Sequence, residues 1–256
     1  MDYLQAMMLA VVEGITEFLP ISSTGHLILV SRILRVAQTE FVKSFEIVIR
    51  LGAILAVVCV YFKAVIKNVK VWKRVMVAFV PTGVIGFLAY PFVKNYLLGN
   101  DTVVVWSLFW GGVAMVVVEK LMRSKDKKIG AVEELSLGRA ALVGGVQALS
   151  IIPGVSRAMA TIFGGMAVGL DRKRATEFSF LLAVPTMVAA TGLDLVKTRW
   201  LFTSKEYVML MIGFGGAFIC ALMTIKYLIA FVQKHSFAAF AVYRMVLAVG
   251  FWLIYR

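Results

Sequence analysis

The sequence predicts an all-α polytopic membrane protein with six transmembrane helices and two re-entrant helical hairpins in an inverted-topology repeat. Hydrophobic residues make up 61% of the 256 positions, whereas soluble domains contain about 45–50%. Six apolar stretches approach the ~20 residues that a helix needs to cross a bilayer; they are 43–62, 75–93, 102–118, 175–193, 207–225 and 237–255. Two further apolar segments are each interrupted by a proline near the middle.

The interrupted segments are residues 4–34 and 138–170, and their central prolines are Pro20 and Pro153. Proline removes a backbone donor and ends or kinks a helix. Each segment is therefore predicted to form a re-entrant hairpin, which enters and leaves the membrane on the same side.

A charged stretch in the middle of the chain divides a single membrane domain, 1–256, into two related halves. The predicted parts are a first repeat 1–122, a linker 123–137 and a second repeat 138–256. The two prolines align at an offset of 133 residues, which also places Ser23 on Ser156. Each half has three crossings and its hairpin adds none, so the second half is expected to be inverted relative to the first.

The formal charge of +13 fits membrane topology, because basic residues concentrate in cytoplasmic loops. We therefore expect no nucleic-acid partner. If both termini lie outside, the loops on the inner side contain more basic residues than those on the outer side. Both termini are therefore predicted outside. Cys59 and Cys220 lie alone in predicted spans without a C-x-x-C spacing, so neither redox nor zinc chemistry is expected.

Two carboxylates, Glu13 and Glu17, lie four residues apart before Pro20 and therefore on one helix face. Like charges repel there, and buried ionisable groups in a membrane usually have a function. Either a divalent cation, Mg²⁺ or Ca²⁺, or a shared proton would neutralise this face. A structural role as helix caps or interhelical contacts is the alternative.

Hydroxyl groups follow the proline at Ser22, Ser23 and Thr24, where the next helix is expected to begin. Helix N-termini attract anions. His26 lies close enough in sequence to serve as a base or acid toward the Ser23 hydroxyl or toward water. Alternatively, His26 is a satisfied core residue.

The second interrupted segment carries a positive charge, Arg157, directly after Ser156. A guanidinium group can bind phosphate with two parallel hydrogen bonds, although a salt bridge to Glu13 or Glu17 would also explain it. Both interpretations bring the tips of the two hairpins together. The other charges at membrane depth, among them Glu46, Arg50 and Arg244, are expected to be structural.

The sequence resembles the undecaprenyl-diphosphate phosphatases of the bacitracin-resistance type, a bacterial inner-membrane family. The resemblance extends over essentially the whole chain. It rests on E-G-I-T-E-F-L-P-I-S-S-T-G-H from Glu13, F-E-I-V-I-R-L-G-A-I-L-A-V from Phe45, P-G-V-S-R from Pro153, E-F-S-F-L-L-A-V-P from Glu177 and Y-R from Tyr243.

This resemblance implies hydrolysis of undecaprenyl diphosphate to undecaprenyl phosphate and inorganic phosphate, which recycles the lipid carrier for cell-wall synthesis. It also implies dependence on Mg²⁺ or Ca²⁺, contact with membrane lipids, a site facing the outer side of the inner membrane, and it allows a homodimer. The implied catalytic residues are Glu13, Glu17, Ser23 and His26, with Glu13 and Glu17 as metal ligands. The implied phosphate-binding residues are Ser22, Thr24, Ser156, Arg157 and Thr161.

Within that resemblance, Ser23 is expected to be the nucleophile and His26 its proton partner, with Arg157 as the phosphate clamp. Attack by a metal-activated water and a phosphohistidine on His26 are the mechanistic alternatives. A lipid-carrier flippase, or an anion or lipid transporter, is the functional alternative, because many transporters are built from inverted repeats with broken helices.

The chain departs from the family pattern at three positions. Ala158 and Met159 replace the usual Ser-Gly, and Arg50 stands where Gln is common. The first departure is expected to add bulk near the phosphate-binding turn, and the second to place an extra cation near the first repeat.

Overall fold

The computed structural model describes residues 1–62, 68–97, 100–122, 129–197 and 202–255, and these form ten α-helices and no β-strand. The helices are α1 (Tyr3–Thr16), α2 (Ser23–Ile33), α3 (Glu40–Val60), α4 (Val69–Phe92), α5 (Asp101–Met122), α6 (Leu137–Gln147), α7 (Arg157–Ala167), α8 (Arg172–Lys197), α9 (Ser204–Lys234) and α10 (Ala238–Tyr255). Shorter turns of π-helix and 3₁₀-helix occupy Val93–Leu97, Val132–Glu134 and Ala148–Ile151.

Four of the described helices are long and apolar enough to cross a membrane, namely α4, α5, α8 and α9. Helix α3 has 21 residues, but Glu40, Lys43, Glu46 and Arg50 lower its hydropathy. Helix α10 is a shorter apolar helix. The predicted all-α, multi-pass membrane fold is therefore confirmed.

Both interrupted segments form pairs of short helices. Helix α1 has 14 residues and α2 has 11, which at 1.5 Å per residue gives about 21 and 17 Å, short of the ~30 Å hydrocarbon core. The first helix ends at Thr16, before Pro20, and the chain turns before α2 begins at Ser23. Helices α6 and α7 are separated in the same way around Pro153. The predicted breaks are confirmed.

The two halves repeat their backbone geometry at an offset of 134 residues. Helices α2 and α7 both have 11 residues, and both begin after a serine with a positive φ, 73° at Ser22 and 77° at Ser156. Both are followed by a second positive φ, 52° at Arg35 and 107° at Gly169. The counterpart of Ser156 is therefore Ser22, and the expected match with Ser23 is wrong by one residue. The second turn contains one more residue between its proline and its helix.

Helices are also exchanged between the halves. Helix α9 packs against α1 and α3, whereas α4 packs against α6 and α8. Glycines allow the closest approaches: a Cβ on Gly14 would lie 2.6 Å from the Ala217 carbonyl oxygen, and one on Gly144 would lie 1.8 Å from that of Ala78. Each hairpin thus packs its first helix against a long helix of the other half: α1 against α9, and α6 against α4.

The predicted linker is only partly within the described residues, because 123–128 lie outside them. Its second part packs into the core, where Ile129, Val132 and Leu135 are buried. Ile129 also forms an isolated bridge with Leu170, just after α7. This part of the linker therefore contributes to the packing of the second half.

Candidate active site

A cavity of about 230 Å³ lies between the turns of the two hairpins. Helix α3 contributes to its wall, as does α8. The polar side chains that line it are Glu17, Ser22, Ser23, Thr24, Arg50, Ser150, Ser156, Arg157, Thr186 and Thr191. Six of the nine residues predicted for the site line this one cavity: Glu17, Ser22, Ser23, Thr24, Ser156 and Arg157.

Glu17 and Ser23 form the central contact of the first turn. Glu17 is the C-terminal cap of α1, and Ser23 is the first residue of α2. Because the intervening turn folds back, the Ser23 hydroxyl donates a hydrogen bond to Oε2 of Glu17. The carboxylate therefore lies where it can accept the serine proton.

The second turn brings Arg157 to the same carboxylate. Its Nη2 donates to Oε1 of Glu17 at 3.2 Å and to the Glu17 carbonyl oxygen at 3.3 Å, while Nη1 donates to the Ser179 carbonyl oxygen at 3.2 Å. Nε is buried and has no hydrogen-bond partner among the described residues. The salt bridge that was the alternative interpretation of Arg157 is therefore present, to Glu17, while its predicted binding of phosphate stays a prediction.

Two helix N-termini meet at this cavity. The Ser22 hydroxyl caps α2 by accepting a hydrogen bond from the Gly25 N–H at 3.4 Å, and Ser156 caps α7 through the Met159 N–H at 3.2 Å. A positive φ at a non-glycine residue costs about 1–3 kcal/mol and is concentrated at functional sites. The partial positive charge of both helix ends favours an anion here.

Glu13 lies one helical turn before Glu17, is fully buried and does not line the cavity. Its Oε1 is 3.7 Å from Nε of Arg50, and neither carboxylate oxygen has a hydrogen-bond partner within the described parts of the chain. Those parts contain no group of three or more His, Cys, Asp or Glu side chains that could hold a metal. The unsatisfied oxygens of Glu13 nevertheless suit Mg²⁺, which proteins often bind through one or two carboxylates plus water and phosphate oxygens.

The expected Ser23–His26 pair is not formed. Nδ1 of His26 lies 2.8 Å from the Ser22 carbonyl oxygen, and Nε2 lies 2.8 Å from the Tyr243 hydroxyl. A carbonyl oxygen only accepts, so Nδ1 carries a proton, and both ring nitrogens are engaged away from Ser23. The helical turn after Ser23 directs the imidazole toward α10, while Glu17 occupies the position expected for the proton partner.

Thr161 is the third predicted residue, after Glu13 and His26, that lies outside the cavity lining. It is fully buried in α7 and does not line the cavity. Its hydroxyl lies 2.9 Å from the Arg157 carbonyl oxygen and 2.5 Å from the Ser179 hydroxyl. Thr161 therefore supports the segment that holds Arg157, and its direct contact with phosphate stays a prediction.

The departures from the family pattern lie near the two turns, as expected, but only Arg50 lines the cavity. Ala158 is buried and Met159 contacts Arg244 through its sulfur at 3.3 Å, and neither residue lines the cavity. Neither side chain therefore occupies the wall of this cavity. Arg50 does line it and faces Glu13, so the extra cation expected near the first repeat belongs to the candidate site. Its signal in the sequence was a cation at membrane depth.

Comparisons with known proteins agree with these motifs. The family described as "Bacitracin resistance protein BacA" matches residues 6–250. A protein of Aquifex aeolicus named undecaprenyl-diphosphatase is 51% identical over 243 residues, covering 95% of this chain and 94% of that protein. A protein of the same name from a Sulfurihydrogenibium species is 47% identical and covers 100% of this chain and 100% of that protein. Another, from Thermus thermophilus, is also 47% identical and covers 95% of this chain and 94% of that protein. The chain belongs to the bacitracin resistance protein BacA family.

Proposed function

We propose that this protein hydrolyses undecaprenyl diphosphate to undecaprenyl phosphate and inorganic phosphate. The observation that carries the proposal is the contact of Ser23 with Glu17 at a cavity that Arg157 also lines. A diphosphate needs positive charge for its oxygens, a nucleophile in line with the leaving group and a group that accepts a proton. The shared name of the relatives supports the same activity.

In the proposed reaction, the Ser23 oxygen bonds to the terminal phosphorus while the bridging P–O bond breaks and polyprenyl phosphate leaves. Glu17 takes the serine proton as the new bond forms. Water then hydrolyses the phosphoserine, which regenerates the serine and releases phosphate. Direct attack by water on the terminal phosphorus, with Glu17 as its base, is the alternative step.

Arg157 and the two helix N-termini are proposed to hold the phosphate oxygens during these steps. Ser22, Thr24 and Ser156 add hydroxyl groups to the same wall. Glu13 and Glu17 are the residues that would hold Mg²⁺ or Ca²⁺. Such a cation would supply positive charge to the phosphate oxygens.

For the membrane arrangement, we propose six transmembrane helices, α3, α4, α5, α8, α9 and α10, and two re-entrant hairpins. The short hairpin helices and the repeated backbone geometry support two inverted repeats, 1–122 and 138–256. The proposed location is the bacterial inner membrane, with both termini and the cavity toward the outer side. A polyprenyl substrate would then keep its tail in the bilayer while its diphosphate enters the cavity.

The test is phosphate release from a long-chain polyprenyl diphosphate by the purified protein in detergent, with Mg²⁺, Ca²⁺ or EDTA. Detergent provides no second compartment, so release separates hydrolysis from lipid transport. The wild type is expected to release phosphate, and Ser23→Ala to lose at least about 1,000-fold in kcat if serine is the nucleophile. Ser204→Ala is the control, because Ser204 is an exposed first residue of α9. No release from folded wild type under any cation would refute the proposal.

A further inference from the structure

Arg244 on α10 is a fully buried cation whose guanidinium group makes six hydrogen bonds. All six of its hydrogen-bond acceptors are neutral: the carbonyl oxygens of Pro20, Ser107, Leu108, Gly154 and Val155, and the sulfur of Met159. A buried charge is costly unless its donors are satisfied. The guanidinium group therefore stays in this place only while these acceptors remain around it.

Three of the acceptors, the carbonyl oxygens of Pro20, Gly154 and Val155, belong to the two turns that meet at the cavity. Nη1 donates to the Pro20 carbonyl oxygen of the first turn at 3.1 Å and to that of Val155 in the second turn at 3.0 Å. Nη2 donates to the Gly154 carbonyl oxygen at 2.9 Å. One planar group thus joins the turn before Ser23 to the turn before Arg157.

Helix α5 holds the other side of the same guanidinium group. Nη2 donates to the Ser107 carbonyl oxygen at 3.0 Å, and Nε to that of Leu108 at 3.3 Å. Gly111 leaves the space that the group occupies, since a Cβ there would lie 2.2 Å from Nη2. The neighbouring residue, Tyr243, contacts His26 of α2 at 2.8 Å. Two consecutive residues of α10 therefore contact the two hairpins: Tyr243 contacts α2, and Arg244 contacts both turns.

We propose that Arg244 is a positioning residue, which holds the two turns at the separation at which Ser23 and Arg157 act on one phosphate. This inference rests on the proposed phosphatase activity. Arg244 does not line the cavity, so it acts through the backbone of both turns. Misplacing reacting groups by about 1 Å can reduce a rate about 100-fold.

The guanidinium fork is what this role requires. Arginine presents five N–H donors in a rigid plane, whereas lysine presents three donors from a single nitrogen. Lysine at 244 keeps the charge but cannot reach carbonyl groups on both turns and on α5 at once. Arg244→Lys therefore tests the bridging of the turns separately from the charge.

The experiment measures kinetics and local hydrogen–deuterium exchange on the purified full-length protein in detergent, with Arg139→Lys, an exposed arginine, as control. Arg244→Lys is expected to lower kcat about 10- to 100-fold with KM within about threefold. Exchange is expected to rise in residues 17–25 and 150–159 but not across α9. A merely structural role would instead accelerate exchange throughout the protein.

A second pair of variants covers the case in which Arg244→Lys does not fold. Gly111→Ala displaces the guanidinium group without changing its charge, whereas a Cβ at Gly250 would meet nothing within 4 Å. We expect Gly111→Ala to accelerate exchange in both turns and lower kcat, and Gly250→Ala to change neither. Unchanged exchange in either turn, or an unchanged kcat, would overturn the inference. If the wild type releases no phosphate, the proposed function fails, and exchange alone decides whether Arg244 holds the turns.

Discussion

Glu17 and Arg157 are 140 residues apart in the chain, yet Nη2 of Arg157 donates to both the carboxylate and the backbone carbonyl oxygen of Glu17. Both side chains are nearly buried, with 8% and 10% of their surfaces exposed. The pair therefore connects the two hairpins at the cavity. It also places the proposed proton acceptor of Ser23 and the proposed phosphate-binding cation at one cavity.

Arg157→Lys should lower kcat/KM about 100-fold, although the charge is retained. The lysine ammonium group cannot reproduce the fork that contacts Glu17 and the Ser179 carbonyl oxygen. Steady-state phosphate release, corrected for the folded fraction, measures the effect, with Arg139→Lys as the matched control. A variant within threefold of the wild type would show that charge alone is sufficient at this position.

His26→Gln should reduce kcat only about tenfold and leave the shape of its pH profile unchanged. Loss of a general base usually costs about 10²- to 10⁴-fold, but both His26 nitrogens are engaged by Ser22 and Tyr243. Glutamine can still donate and accept, so part of this contact survives. Tyr243→Phe serves as the companion variant, because it removes only the hydroxyl group. A loss near 1,000-fold together with disappearance of one limb of the profile would restore His26 as the base.

Arg50→Gln should strengthen the binding of Mg²⁺ in the absence of substrate. The guanidinium group lies beside Glu13 and repels a second cation, so its removal leaves more negative charge for the metal. We expect the half-saturating Mg²⁺ concentration to fall about tenfold, or about 1.4 kcal/mol. Calorimetric titration measures it, with Arg139→Gln as control. Unchanged or weaker binding would argue against Glu13 as a metal ligand.

Gly144→Ala and Gly145→Ala should change stability in opposite directions. A Cβ on Gly144 would lie 1.8 Å from the Ala78 carbonyl oxygen, whereas one on Gly145 would meet nothing within 4 Å. The first variant is expected to lose about 3 kcal/mol through overpacking against α4. The second is expected to gain about 0.5–1 kcal/mol of helix propensity. Thermal unfolding in detergent distinguishes them, and equal effects would contradict the close contact of α4 and α6.

Sequence patterns predicted much of the fold because hydrophobic length and proline position are local properties. Apolar stretches indicated a multi-pass helical membrane protein, and Pro20 and Pro153 marked the two broken segments. The alignment between the halves was one residue off. The positive φ angles at Ser22 and Ser156 show which residues correspond. Identical residues in the two halves do not reveal that the second turn is one residue longer.

The sequence by itself determined the class of the protein and most candidate residues of the site, since polar groups in apolar segments stand out at membrane depth. Only the tertiary structure decided which groups meet. Ser23 contacts Glu17 instead of His26, because the direction of each side chain depends on the turn that precedes α2. Arg244 reaches Pro20 across 224 residues of the chain. Such contacts arise from the packing of distant helices, which the spacing of residues along one segment does not encode.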